Sequence, residues 1–490
     1  MRVDLKSDTL WYGSAVLIER ALGLLLLPLL TRRLSEAEYG IWAQVAVVSS
    51  VLVPMLLACL PTGIVRFLSA DPDDVQRRQW VRRSLLLAAV LWGLLALVCW
   101  VLPVQTSEAV FGGVAHIRFV AIALIVLAAD VLFDVLVAYL RATFQMRGIA
   151  ALLVMRGSAR FGFMLFALGP LQLRFEIAFV LLAAIQLSLV IAACAVACVR
   201  SPRRRATSES VVERTQITWR VMIGFCAPLV LMSVLSSAHT YADRFALTHQ
   251  LGLAATAVYA AVATVVSVVG VVYTVLGFTL FPVLSRLWTQ GDQARANELV
   301  AKASCVYLFV ALPFVFWLVS VSDVLIPLLT TGAYRAPLEV VLMLSVAAVS
   351  FGLYQIALYL RLLAGQGSRM VVLMLLAALV NGGGNWLLVP RFGLSGAAAA
   401  AALSNTLLAV MAYAGSWQTA KPQFPWASVV RIALGALVAA LVSKSMSPSF
   451  ATMPWAALVF NLSLLVGIHV AVDLVMPRSL IRTQIWRSTH

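Results

Sequence analysis

Apolar residues along this chain gather into long runs separated by short polar stretches. Fourteen runs approach or exceed the roughly 20 residues that a helix needs to cross a hydrocarbon core about 30 Å thick. They lie at about 10–31, 40–68, 83–103, 118–140, 148–169, 177–199, 218–241, 253–281, 300–320, 337–360, 370–389, 396–416, 428–443 and 455–475. Runs of this length overshoot a barrel strand, and a spanning segment must satisfy its own backbone polar groups, so each predicts a transmembrane helix. Composition points to the same solvent: 62% of the 490 residues are hydrophobic and 11% are charged, against about 25% charged in an ordinary globular protein. So few polar residues cannot cover a water-facing surface. An all-α polytopic membrane protein is expected.

The loop charges set an orientation. Arg and Lys divide about three to one in favour of the loops on the side of the N-terminus, which places both termini in the cytoplasm. The formal charge of +16 then reads as basic loops beside anionic lipid, not as a nucleic-acid surface. Met1 to Asp8 is polar, and the first apolar run is too long for a cleavable signal. The longest hydrophilic stretch runs from Arg200 to Arg220 on the cytoplasmic side, and no outer loop is long enough to fold a catalytic domain.

A short repeat divides the chain. Thr31-Arg32-Arg33-Leu34-Ser35-Glu36-Ala37, running on to Trp42-Ala43, lies on Thr248-His249-Gln250-Leu251-Gly252-Leu253-Ala254, running on to Tyr259-Ala260. Thr, Leu and two Ala coincide, and an aromatic lies on an aromatic. Six spans separate the copies, an even number that gives both one orientation. The expected organisation is an N-terminal six-helix lobe (1–200), a basic cytoplasmic linker (201–217) and a C-terminal six-helix lobe (218–418). Two extra helices and a cytoplasmic tail (419–490) complete it. The lobes would be related by a pseudo-two-fold axis along the membrane normal, a transporter architecture with substrate held between lobes. Fourteen helices packed without symmetry is the alternative.

Ionisable groups within the spans cost at least ~2.5–3.5 kcal/mol each at a helix centre, so each needs a partner or a wet cavity. Glu19 and Arg20 lie mid-way through the first run, about 100° apart around the helix, so at least one faces an interior. Arg66 lies near the inner end of the second run. Asp130 and Asp134 stack on one face of the fourth span, and Arg156 and Arg160 on one face of the fifth. Counted from the turn near Arg147, Asp134 falls at the height of Arg156 and Asp130 at that of Arg160.

Two readings of this cluster stand. It is an ion-pair ladder that staples two helices, or it borders a water-filled cavity. In the second reading the arginines attract an anionic substrate, a diphosphate suiting the guanidinium fork, and the acids take a proton or sodium ion. His239 and Asp243, one turn apart with Arg244 at the end of the seventh span, are placed either to share a proton or to anchor the helix end. Asn381 and Asn385 share a face beside Gly382, Gly383 and Gly384, placed to meet sugar hydroxyls or to pack helices closely. The substrate candidates are thus Arg20, Arg66, Arg156, Arg160, Arg244, Asn381 and Asn385. The cation-coupling candidates are Glu19, Asp130, Asp134, His239 and Asp243.

Soluble chemistry has no signature here. The six cysteines make no Cys-x-x-Cys pair and have no His at metal-ligand spacing, so neither a metal nor a cofactor is expected. There is no Gly-rich phosphate loop, no His-Glu-x-x-His and no Gly-x-Ser-x-Gly. The chain reads as a transporter and not an enzyme, working down a gradient or on an ion gradient.

An ordered series of short motifs extends over residues 8–418. It starts with Pro28-Leu29-Leu30-Thr31-Arg32-Arg33 through Tyr39-Gly40 and Gly63-Ile64-Val65-Arg66-Phe67, and resumes at Ala242-Asp243-Arg244-Phe245, Leu251-Gly252 and Val258-Tyr259. Phe281-Pro282 and Gly291-Asp292 follow, then Asn381 to Asn385 with Leu387-Leu388-Val389-Pro390, Gly393 and Gly396-Ala397-Ala398-Ala399. The series resembles the bacterial polysaccharide flippases, the Wzx-like branch of the multidrug/oligosaccharidyl-lipid/polysaccharide (MOP) exporter superfamily.

That resemblance implies two six-helix lobes around a V-shaped cavity in the bacterial inner membrane. It implies alternating access, with an undecaprenyl-pyrophosphate-linked oligosaccharide moved from the cytoplasmic to the periplasmic leaflet for O-antigen or exopolysaccharide synthesis. Its implied partners are the lipid bilayer, other polysaccharide assembly proteins and H+ or Na+, and a monomer suffices. It also puts Arg66, Asp243 and Arg244 where the family has functional polar residues. The last two spans are similar to those of the lipid II flippase branch, whereas many polysaccharide flippases have twelve spans. A drug/cation antiporter of the same superfamily is disfavoured by four intramembrane arginines in the first half. A membrane glycan polymerase or ligase is disfavoured by the short outer loops.

Overall fold

The computed structural model describes residues 5–68, 74–200, 218–416, 426–446 and 454–475. The expected linker 201–217 and the tail beyond residue 475 lie outside the described residues. Within them the chain is helical, without strands. The first eight helices are α1 (Leu5–Arg33), α2 (Glu36–Leu56), α3 (Leu60–Leu68), α4 (Asp74–Val101), α5 (Pro103–Phe111), α6 (Ile117–Ala142), α7 (Met146–Leu168) and α8 (Phe175–Arg200). Then come α9 (Trp219–Leu251), α10 (Leu253–Val266), α11 (Val269–Thr289), α12 (Gln293–Leu329), α13 (Leu338–Leu363), α14 (Gly367–Ser416), α15 (Trp426–Met446) and α16 (Pro454–Val475).

Every one of the fourteen apolar runs falls on helix. Among the described residues eleven helices are long and apolar enough to cross a membrane. One of them, α14, is broken in two at Gly393 (φ 56°, ψ −131°), and α15 and α16 hold shorter apolar segments. Two runs expected as single helices are also broken. The second divides into α2 and α3 at Leu57–Cys59, just after Pro54, whose missing N–H weakens the preceding turn. Ala58 and Cys59 both take left-handed backbone there (φ 46° and 53°). The eighth run divides into α10 and α11 at Ser267 and Val268, where the Ser267 hydroxyl donates to the Thr264 carbonyl, 2.7 Å away.

Helix starts preserve the register of the repeat. In the first copy Ser35 caps α2 through a capping box: its hydroxyl accepts from the Glu38 N–H, and the Glu38 carboxylate accepts from the Ser35 N–H at 2.9 Å. Arg32 and Arg33 end α1 where a helix dipole favours cations, and Glu36 and Glu38 open α2 where it favours anions. In the second copy the residue aligned with Ser35 is Gly252, which caps α10 with φ 87°, a conformation that excludes most side chains. The Thr248 and Thr256 hydroxyls, 2.9 Å apart, tie that turn together.

The chain divides into two compact units, Met1–Tyr241 and Ala242–His490, with the boundary inside α9. In the first unit α1 lies along α7 and meets it at Gly157, where an added Cβ would meet Leu22 Cδ1 at 3.1 Å and Glu19 Cα at 3.7 Å. Arg77, buried, closes the C-terminus of α3 by donating Nε and Nη2 to the Leu68 carbonyl at 3.2 and 3.0 Å. In the second unit α11, α12 and α13 share a core of Leu284, Val300, Tyr307 and Ile356. The helices α15 and α16, matching the two extra spans, pack against α12.

The α1–α7 contact gives a first prediction. Gly157→Val should lower the thermal midpoint of the detergent-solubilised protein, since overpacking a close helix crossing costs ~1–3 kcal/mol. An unchanged midpoint would show that the two helices do not meet closely at this glycine.

Candidate functional site

The first unit contains a cavity of about 310 Å³ walled by α2, α6, α7 and α8. Four of its lining residues are the charges that the sequence placed on facing stripes: Asp130 and Asp134 from α6, Arg156 and Arg160 from α7. The helical repeat puts each pair on one face, and the Thr143–Gln145 turn brings α6 and α7 side by side.

Pairing within the cluster differs from the expected ladder. Arg156 Nη2 donates to Asp130 Oδ1 at 2.5 Å, not to Asp134. Phe133 explains the choice. The Arg156 guanidinium carbon sits 4.4 Å from the centroid of that ring, a cation–π contact. Phe133 is three residues from Asp130, hence on nearly the same face, but adjacent to Asp134 and about 100° away from it. A guanidinium stacked on the ring therefore reaches Asp130. Asp134 stays exposed in the cavity wall. Arg160, half-buried, has no ion-pair partner among the described residues. The ladder is thus one closed rung and two open charges of opposite sign.

The other first-half candidates are distributed around this cluster. Glu19 is half-buried where α1 crosses α7 at Gly157, one turn from Arg160. Arg20 is exposed on α1, and neither residue lines the cavity. Arg66 on α3 is also outside it: exposed, with its guanidinium carbon 4.7 Å from the Phe225 ring and 5.7 Å from that of Phe67.

In the second unit Asp243 is buried and each of its carboxylate oxygens accepts a hydrogen bond. Oδ2 accepts from the Tyr259 hydroxyl and Oδ1 from the Arg244 N–H, both at 2.7 Å. His239, one turn earlier on α9 and on the first unit's side of the boundary, is buried, and Arg244 is half-buried. Asn381 and Asn385 are both buried, and Asn385 Nδ2 donates to the carbonyl and Oδ1 of Asn381 at 2.8 and 2.9 Å. Beside them Gly384 packs against Ala400 across the two limbs of α14, so the glycine run serves close helix contact at that position.

Several polar residues of the site carry no charge to mark them in the sequence. Trp42 and Ser49 on α2 and Gln186 on α8 line the cavity, and Tyr259 holds Asp243. The uncharged ones look like ordinary members of apolar runs. Trp42 and Tyr259 did leave a trace, since they are the aromatic pair that the repeat aligns.

The molecule shares its fold with transporters of known structure, one of them named as a member of the MOP superfamily. The lipid II flippase MurJ in its inward closed conformation aligns with a TM-score of 0.73 at 12% identity, covering 96% of this chain and 99% of that one. An inward-facing multidrug resistance MATE family transporter of the MOP superfamily aligns at 0.62 with 14% identity, covering 86% and 95%. A mutant of the Vibrio cholerae MATE transporter VcmN gives 0.58 and 14%, covering 85% and 96%. All three of those proteins are transporters. A sequence search of curated proteins gives no significant match. Residues 5–288 match the profile of the polysaccharide biosynthesis protein family, more than half of the chain, and the protein belongs to that family.

Proposed function

We propose that the protein is a flippase that moves an oligosaccharide linked to undecaprenyl pyrophosphate from the cytoplasmic to the periplasmic leaflet of the bacterial inner membrane, both of its termini being cytoplasmic. One observation carries this reading: a membrane-embedded cavity of about 310 Å³ has Arg160 in its wall without an ion-pair partner among the described residues, and Arg156 held there by a single carboxylate. A sugar-diphosphate head cannot cross hydrocarbon unaided, while a polyprenyl tail need never leave it. Guanidinium groups in such a cavity supply fixed charge and bidentate donors for the diphosphate. Membership of a polysaccharide biosynthesis family and the fold shared with the lipid II flippase support a lipid-linked glycan as cargo.

Coupling follows from competition. A diphosphate that takes Arg156 displaces Asp130, leaving two carboxylates, Asp130 and Asp134, side by side in the wall. Like charges so placed favour uptake of a proton or a sodium ion, so substrate entry and cation entry assist one another. The sequence holds no ATP-binding loop that would supply another source of energy. A drug/cation antiporter would use the acids but has no use for the arginines.

Deleting the protein should trap lipid-linked glycan on the inner leaflet, shielded from a periplasmic galactose- or amine-directed label in intact spheroplasts. The wild-type gene should restore labelling. Full labelling in the deletion strain would remove the flippase assignment.

A further inference from the structure

Uncharged residues of the cavity lining hold unused hydrogen-bonding groups. Gln186 is only 5% exposed, and its Nε2 has no hydrogen-bond partner. Ser49, also 5% exposed, has an unpartnered hydroxyl. Both line the cavity, one from α8 and the other from α2. A buried amide or hydroxyl left unpaired loses its hydration with no compensation, so two converging on one space mark a place built for a polar occupant. Ser50 makes the contrast: its hydroxyl is satisfied by the Ala46 carbonyl at 2.8 Å.

Trp42, two turns before Ser49 on α2, adds a flat surface. Phe179 backs its indole, with ring centroids 5.1 Å apart and planes inclined at 37°, and the half-buried indole contributes to the cavity wall. A flat aromatic face with an amide donor and a hydroxyl is complementary to a pyranose, which has a C–H face and a rim of hydroxyl groups. At about 310 Å³ the cavity lies at the small end of ligand pockets, which span roughly 300–1,000 Å³. It has room for a diphosphate with a single sugar and not for an oligosaccharide.

We infer that Trp42, Ser49 and Gln186 form a monosaccharide subsite that reads the sugar next to the diphosphate while Arg156 and Arg160 hold the phosphates. This rests on the flippase reading. It places sugar recognition beside the arginines, in the first unit, and not at Asn381 and Asn385, where Asn385 Nδ2 is held by Asn381 and Asn385 Oδ1 is left without a partner among the described residues. Specificity follows from the orphan groups: a lipid lacking the hydroxyl that Gln186 and Ser49 await leaves them unpaired, and is discriminated against.

The test uses the full-length protein in nanodiscs. The probes are undecaprenyl diphosphate and the same lipid bearing a single glucose, galactose or N-acetylglucosamine, with affinities read by native mass spectrometry. The wild type should bind at least one sugar-bearing lipid about tenfold more tightly than the bare lipid, the gain of one or two buried hydrogen bonds. Gln186→Leu, Trp42→Ala and the gentler Ser49→Ala should each reduce that ratio while leaving affinity for the bare lipid unchanged, which also shows that the variants are folded. Arg160→Ala should weaken both lipids alike. A wild-type ratio near one for all three sugars, as expected if water alone fills this wall, would overturn the subsite. So would a full ratio in all three wall variants. If the wild type binds neither bare nor glycosylated lipid, the flippase reading fails as well.

Discussion

In a double variant, Asp130→Ala/Arg156→Ala, the protein should reach the membrane in normal amount and move glycan about tenfold to a hundredfold more slowly than the wild type. The range follows from losing charge-assisted hydrogen bonds to a diphosphate, about 1.5–3 kcal/mol. The double variant is the informative one because it separates the two readings of the ion pair. Were the Arg156–Asp130 contact only a staple, removing both partners would take away a buried pair and leave no orphan charge, a change that is often neutral for stability. Transport would then survive the double change better than either single change. If Arg156 is needed as a cation, the double variant stays as slow as Arg156→Ala. Asp130→Ala alone should do the reverse to binding, holding undecaprenyl diphosphate more tightly because no carboxylate competes for the guanidinium. Transport at wild-type rate in the double variant, measured in reconstituted vesicles, would make the pair structural.

The charges were legible in the sequence because they are expensive in hydrocarbon, and each one stands out from an apolar run. That is why Asp130, Asp134, Arg156 and Arg160 were found together, on the right pair of helices. Their pairing was not legible. It depends on Phe133, an apolar residue that the search for charges passes over, which holds the Arg156 guanidinium one turn away from its expected partner.

Hydropathy has the same blind spot for breaks. The runs that became α2–α3 and α10–α11 are continuous in apolarity, and the interruptions are hinted at by Pro54, Pro61 and Gly63 in the first and by Ser267 and Gly270 in the second. Arg66 lies in the second run but on α3, outside the cavity of the first unit. The repeat was the most productive weak signal. It aligned Ser35 with Gly252, both N-caps, and Trp42 with Tyr259, both now with assigned contacts.

Arg361 shows that a conspicuous charge can have a role unrelated to transport. In the sequence it counts only as a positive charge on a loop. In the fold it is 5% exposed and binds three segments of the second unit. Nε and Nη2 donate to the Ala412 carbonyl at 3.1 and 2.9 Å, Nη2 also to that of Met411 at 3.2 Å, and Nη1 to Gln366 Oε1 at 2.7 Å. The acceptors on α14 lie close to its C-terminal end, where the helix dipole favours a cation. Gln366 belongs to the turn after α13, which Gly365 makes possible with φ 70°. One guanidinium thus ties the ends of α13 and α14 to the turn between them. Arg361→Ala leaves those carbonyls and the amide without their donor, and should cost about 1.5–3 kcal/mol, the range for hydrogen bonds to a charged group. Arg361→Lys should recover only a minor part, since an ammonium group cannot span two carbonyls and an amide at once. Thermal unfolding in detergent should therefore rank wild type above Arg361→Lys above Arg361→Ala. The fraction that remains folded should still bind undecaprenyl diphosphate with wild-type affinity. That combination, lost stability with intact binding, is the opposite of what Arg160→Ala should give, and an unchanged midpoint for Arg361→Ala would remove the clamp.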